Sequence, residues 1–274
     1  MEKGVPIRSV SRSLAVLRAI NRQGSMSMAE IARIAAVPYP TACRLVQTLM
    51  HEELIEREPA RKRYRPTAFV RALSAGFQEH SELVALARPQ LEQLTAVTRW
   101  PVLLSTRFGA EMMVRDCTDA MTSQVLDRHY PGHTFSLLET AGGRAYLAFA
   151  EERERAEIFE AIEMAGEAPI DPHTYLLIQS DVMLEEIREQ GVAQRGRNRF
   201  SLTPGKTSSI GAPVFANGRV VGAIDLVYFS VAYKSEDALR RYGDEVKRCA
   251  AEISRSLSIT AAGDFTPARL SSVG

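Results

Sequence analysis

The amino-acid sequence predicts an α+β protein in two unequal parts: a small helical head with a hairpin, and a larger body whose antiparallel sheet is covered by helices on one face. Three observations carry this. Apolar residues recur at helical spacing through the N-terminal third, then give way after Trp100-Pro101 to short β-favouring runs. Charge is divided as well: residues 1–80 hold 13 Lys+Arg against 7 Glu and no Asp, a net +6, leaving −5 on the remaining 194 residues under an overall balance of +1. A basic head on an acidic body is expected when one domain meets a polyanion. Finally, 274 residues at 45% hydrophobic content suffice for two buried cores.

Taking the head in order, Val10, Leu14, Ala15 and Leu17 give an apolar stripe on a first helix. A second helix runs from Met28 to Ala35, lined by Ala29, Ile31, Ala32, Ile34 and Ala35, and is stopped by Val37-Pro38-Tyr39-Pro40. A third starts at Thr41 and carries Ala42, Leu45, Val46 and Leu49 on one face; Thr41, Arg44, Gln47, Thr48 and His51 make the other face polar and basic. Two strands follow, Leu54 to Arg57 and Arg63 to Arg65, around a basic tip at Arg61-Lys62. This is the pattern of a winged helix-turn-helix over residues 1–66, and it points to double-stranded DNA. Thr41, Arg44, Gln47 and Thr48 are expected at or near base edges, where Arg and Gln offer paired hydrogen bonds. Arg12, Arg61, Lys62 and Arg63 are expected on phosphates.

Residues 67–80, with Phe69, Leu73 and Phe77 every fourth place, read as a linker helix. The body, 81–260, opens with a helix from Leu83 to Val97. Strands are expected at Val102 to Thr106, Glu111 to Asp116 and Ser123 to Leu126, the first two joined at Phe108-Gly109-Ala110. Helices follow at Ala141 to Phe149, Glu151 to Met164 and Ser180 to Gln190, the last stopped by Gly191. Ser209 to Phe215 and Arg219 to Phe229 flank Asn217-Gly218, a pair suited to a tight hairpin. A helix from Ser235 to Leu257 closes the body, and 261–274 read as a flexible tail.

The composition also limits function. No apolar run reaches membrane-spanning length and Met1-Glu2-Lys3-Gly4 lacks a signal-peptide core, so a cytoplasmic protein without a membrane partner is expected. Cys43, Cys117 and Cys249 are far apart and lack ligand spacing, which predicts free thiols and no metal. His129 and His133 flank Pro131-Gly132 with no third ligand signalled. Neither a nucleophile elbow, a His-Glu-x-x-His helix, a Walker loop nor a dinucleotide fingerprint is present, so neither catalysis nor a cofactor is expected. A hydrolase is thereby disfavoured. The other alternative, a winged-helix scaffold protein that does not read DNA, would need an apolar patch where this face is charged.

With these parts laid out, the chain resembles the IclR family of bacterial transcriptional regulators over roughly residues 8–258. The likeness rests on Val10-Ser11-Arg12-Ser13-Leu14-Ala15-Val16-Leu17, Ala29-Glu30-Ile31-Ala32, Pro38, Thr41, Arg44-Leu45 and Thr48-Leu49 in the head. In the body it rests on Thr140 to Ala148, Ser209 to Phe215 and Val220 to Ile224. Within the family it is most similar to the activators of hydroxyphenylpropionate catabolism, through Trp100-Pro101, Ser105-Thr106, Met113-Val114-Arg115, Leu137-Leu138 and Leu226-Val227-Tyr228.

The resemblance implies a GAF/PAS-like effector domain binding a small carboxylic acid, with an aromatic catabolite favoured. It also implies a homodimer or dimer of dimers on a pseudo-palindromic operator. Matched position by position, the family's pocket falls on Leu138, Ala141, Gly142, Arg195, Ser209 and Asp225, with Leu126 in the enclosing loop. Backbone N–H groups at a glycine-bearing helix start suit a carboxylate, and an arginine adds a paired contact. Plainer roles stay open: close packing for Ala141-Gly142-Gly143, a backbone-satisfied buried carboxylate for Asp225, a solvated loop for Arg195, Arg197 and Arg199. One departure stands out, since Glu53 and Leu54 occupy places where the family has Gly and an aromatic residue. That implies a strained or reshaped exit from the third helix.

Overall fold

The computed structural model describes residues 6–74, 81–164, 172–197 and 203–263. The chain divides into two compact units, residues 1–79 and 80–274.

In the first unit, helices α1 (Arg8–Gln23), α2 (Met28–Ile34) and α3 (Tyr39–His51) pack on a three-stranded antiparallel sheet. Its strands β1 (Met26–Ser27), β2 (Ile55–Arg57) and β3 (Arg63–Pro66) lie in the order β1-β3-β2. Ser27 starts α2 with a capping box: its hydroxyl accepts from Glu30 N–H, and Glu30 Oε2 accepts from Ser27 N–H at 2.7 Å. The core gathers Val16, Leu17 and Ile20 of α1, Ile31 of α2, Val46 and Leu49 of α3, and Ile55 of the wing. Two expectations are corrected. Val10 and Leu14 are 53% and 47% exposed, because α1 turns its Val16-Ala19-Ile20 side inward. The third helix begins at Tyr39 rather than Thr41, since Pro40 falls in the first helical turn, where no backbone N–H is needed.

Helix α3 is capped by Glu52, and Glu53 turns the chain into the wing with φ of 58°. The strain inferred from a non-glycine residue here is thus present in the backbone. Where a linker helix was expected, Ala68–Ser74 form a 3-10 segment; positions 75–80 lie outside the described residues.

In the second unit a six-stranded antiparallel sheet runs β6-β5-β4-β9-β8-β7. Its strands are β4 (Val102–Phe108), β5 (Glu111–Cys117), β6 (Thr134–Ser136), β7 (Ala193–Arg195), β8 (Thr207–Ala216) and β9 (Arg219–Phe229). Helices α4 (Ser81–Thr98) and α9 (Ser235–Gly263) close one face over Val102, Leu104, Ile210, Ala212, Ile224 and Leu226. Helix α5 (Ala141–Phe149) closes the other, backed by α6 (Glu152–Met164), α7 (Pro172–Gln179) and α8 (Val182–Gln190). The sheet is therefore covered on both faces, not one. Long apolar runs such as Ile210 to Val214 and Ala223 to Leu226 are what two-sided burial demands.

The expected strand at Ser123 to Leu126 is a loop following a 3-10 turn, Asp119–Met121, and the edge strand is β6 instead. The connection at Asn217-Gly218 has φ of 50° and 78°, the pair of positive values a type I′ hairpin turn requires. Gly191 ends α8 at φ of 69°, as its position predicted. The tail from 264 onward lies outside the described residues.

Candidate functional site

In the head, burial of Ala42, Val46 and Leu49 turns Arg44, Gln47, Thr48 and His51 of α3 outward. Thr41 is half-buried, and the hydroxyl of the exposed Thr48 donates to the Arg44 carbonyl at 3.1 Å. Tyr39, absent from the expected contacts, stands exposed in the first turn of the same helix. Its signal was Pro40, readable as a first-turn proline rather than a breaker. Arg61 and Lys62 are exposed at the wing tip, and Arg12 is half-buried on α1.

Arg63 is differently placed. Its Nε donates to Ser25 Oγ at 3.0 Å, its Nη2 to Ser25 O at 2.8 Å, and Nη2 pairs with Glu30 Oε2 at 3.0 Å. Hydrogen bonds from the Ser27 backbone and hydroxyl, helped by Arg63, hold the Glu30 carboxyl below the usual range. Arg63 therefore fastens the base of the wing to the start of α2. Arg65 is likewise occupied, pairing with Glu56 at 2.6 Å.

In the body the second cluster lies on the α5 side of the sheet. Cross-strand partners share a face, so Arg195, Ser209 and Val227 form one row. Gly211, Asp225, Leu103 and Cys117 form the next. Helix α5 starts directly above. Thr140 caps it by accepting from Gly143 N–H, Ala141 N–H donates to Ser209 Oγ at 3.4 Å, and Gly142 N–H donates to Asp225 Oδ1 at 2.7 Å. Glycine is required on both sides of this approach: a Cβ on Gly211 would lie 2.3 Å from Gly142 N, and one on Gly142 would lie 2.0 Å from Asp225 Oδ2.

Asp225 is 2% exposed, and its Oδ2 has no hydrogen-bond partner among the described residues. Burial pushes its carboxyl up to about 6, against the opposing pull of the Gly142 N–H, the Ser209 hydroxyl and the charge of His129. The carboxylate seated on the α5 N-terminus is thus the protein's own. Arg195 is engaged too: Nη2 and Nε reach Glu139 Oε2 at 2.6 and 3.2 Å, and Nη1 donates to Gly196 O. Glu139, itself 2% exposed, was missed in the sequence because a lone acid after Leu137-Leu138 has no periodic signal.

Leu138 is fully buried with its carbonyl accepting from Arg144 Nε, whereas Leu126 is 43% exposed in the loop. That loop is tied down by Asp119, which accepts from His129 N–H at 2.6 Å and meets Nδ1 at 3.1 Å, and by Thr203 donating to Asp127. Cys117 Sγ lies 3.3 Å from the His129 carbonyl, and burial pushes its thiol up to about 11. Arg199 lies outside the described residues. Among those residues no group of three or more potential metal ligands is found, and no helix is long and apolar enough to cross a membrane.

The model of the IclR helix-turn-helix domain matches residues 9–59, and that of the bacterial transcriptional regulator IclR C-terminal domain matches residues 76–255. The chain belongs to the IclR family.

Among IclR-family and related regulators, it is 26% identical over 265 residues to the HTH-type transcriptional regulator KipR of Bacillus subtilis, covering 92% of this chain and 98% of that protein. It shares its fold with the IclR structure of Thermotoga maritima, at a TM-score of 0.63 and 23% identity, over 91% of this chain and 98% of that one. An IclR homologue from Microbacterium hydrocarbonoxydans, solved with 4-hydroxybenzoate, aligns at a TM-score of 0.65 and 18% identity, over 91% and 98%. The head is thus the DNA-binding domain of an IclR-type transcriptional regulator and the body its effector-binding domain. These families and relatives are regulators of transcription, not enzymes.

Proposed function

We propose that this IclR-family regulator senses a small aromatic carboxylic acid, of the benzoate or hydroxyphenylpropionate type, and that the acid controls its hold on a pseudo-palindromic operator. The observation carrying this reading is the convergence of Arg195, Ser209, Glu139 and Asp225 at the start of α5, a polar cluster on an otherwise apolar face. Leu126, Leu138, Ala141 and Gly142 supply its rim, and the half-buried Val227 and Cys117 offer apolar surface to a ring. The benzoate held by a homologue of the same fold supports the ligand class.

On the DNA side, Thr41, Arg44, Gln47 and Thr48 read bases while Arg12, Arg61 and Lys62 meet phosphates; the bonds Arg63 already makes assign it to the wing instead. Two recognition helices in successive major grooves require a homodimer, alone or paired into a tetramer. Effector and operator affinities are then linked reciprocally, whichever sign the coupling has.

The test is thermal-shift screening of the full-length protein against aliphatic and aromatic acids. An acid that binds the native state alone at about 100 times its Kd adds about 2.7 kcal/mol of stability. Stabilisation by aromatic acids that is lost in Arg195→Ala or Ser209→Ala supports the reading; stabilisation by aliphatic acids only, or by none, defeats it.

A further inference from the structure

We propose that Asp225 couples effector binding to a proton: its carboxylate occupies the anion seat at the start of α5, and an effector carboxylate reaches that seat only as Asp225 takes up one proton. This rests on the effector reading above and specifies the chemistry of its site.

The geometry sets the conflict. The first turn of α5 presents backbone N–H groups to the sheet, and one of them, on Gly142, is already donated to Asp225 Oδ1 at 2.7 Å. Oδ2 lies buried against Gly142 with no partner among the described residues. A second carboxylate brought here meets a like charge where little water is present to screen it, so both cannot stay ionised. A proton on Oδ2 resolves the repulsion and converts an orphaned acceptor into a donor. The balance is simple: effector carboxylate, Asp225 carboxylate and one solvent proton give a carboxylate hydrogen-bonded to a carboxylic acid.

The groups facing Asp225 fit this assignment. Strand β8 contributes the neutral Ser209, β4 the apolar Leu103, and β5 the Cys117 thiol, which stays protonated near neutral pH. In the neighbouring row, the charge of Arg195 is met by Glu139. Among the described residues, His129, held by Asp119 in the covering loop, adds a charge that acts on Asp225.

Calorimetry of the full-length protein with 4-hydroxybenzoate, in buffers of different ionisation enthalpy, reads the proton directly. The wild type is expected to take up close to one proton per ligand near pH 7.5, and its affinity to fall about tenfold per pH unit above the Asp225 titration. Asp225→Asn imitates the protonated acid, so its affinity becomes flat with pH and its proton uptake vanishes. His129→Gln keeps the slope. Binding without proton uptake, or a slope that survives Asp225→Asn, overturns the proposal while leaving the effector reading in place. Absence of binding at every pH overturns both.

A ligand-free comparison tests the buried acid separately. Its folded value, about 6, lies above the unfolded carboxyl, so Asp225 favours the fold below about pH 4 and loses that contribution as pH rises towards 6. Relative to Asp225→Asn, the denaturation midpoint of the wild type should drop over this window; parallel curves would mean that burial does not raise this carboxyl.

Discussion

Glu53 holds a left-handed backbone, at φ of 58°, where a side chain costs free energy that glycine would not. Glu53→Gly should therefore raise stability by about 0.5–1 kcal/mol net of the added unfolded-state entropy, read as a shift in the urea midpoint. An unchanged or lower midpoint would mean that Glu53 makes a compensating contact. Arg63 gives the opposite forecast: Arg63→Ala should cost about 1–2 kcal/mol, because it strips Ser25 and Glu30 of their partner, and its Tm should fall even without DNA. Single residues were legible in proportion to how local their roles are. Gly191 and Asn217-Gly218 announce turns by their own conformational preferences. The bond between Gly142 and Asp225 crosses 83 positions and has no local signature, although both residues could be nominated through family likeness.

At the scale of elements, helix α5 is seated by three glycines, Gly142, Gly143 and Gly211. Besides the contact at Gly211, a Cβ on Gly143 would lie 2.1 Å from the Leu137 carbonyl, and backbone on either side leaves little room to yield. Gly211→Ala should lift α5 from the sheet, destabilising the body by at least about 2 kcal/mol and abolishing effector-induced stabilisation. A Gly211→Ala protein with native denaturation and ligand response would show that the helix can move freely. The sequence made α2, α3, α5 and the β8–β9 hairpin readable because each is amphipathic or bounded by caps and turns. It hid β6 and β7, three residues each, which owe their conformation to the neighbouring strand. It also disguised α7, where Tyr175, Leu176, Leu177 and Ile178 give no clean stripe.

For the whole molecule, the division into a basic head and an acidic body was visible in charge counts before any element was assigned. The coverage of both sheet faces left its trace in the apolar runs of β8 and β9, but such runs give no record of which elements pack on each side. Lys62→Ala should leave Tm unchanged, weaken specific and random DNA alike, and reduce the slope of log K against log salt by about 0.9 for the lost phosphate contact. A selective loss of operator binding would instead make Lys62 a base reader.

The three thiols have unequal surroundings. Cys249 is buried and pushed up to about 12, and Cys117 is pushed up to about 11, whereas Cys43 lies half-buried on α3 between Ala42 and Arg44. Nucleophilic attack by cysteine needs the thiolate, so burial withholds Cys117 and Cys249 from an alkylating dye and leaves Cys43, on α3, as its target. The native chain thus comes with an attachment point for an optical reporter on the helix proposed above to read DNA, and on that reading occupancy of the operator becomes visible as protection of a single side chain.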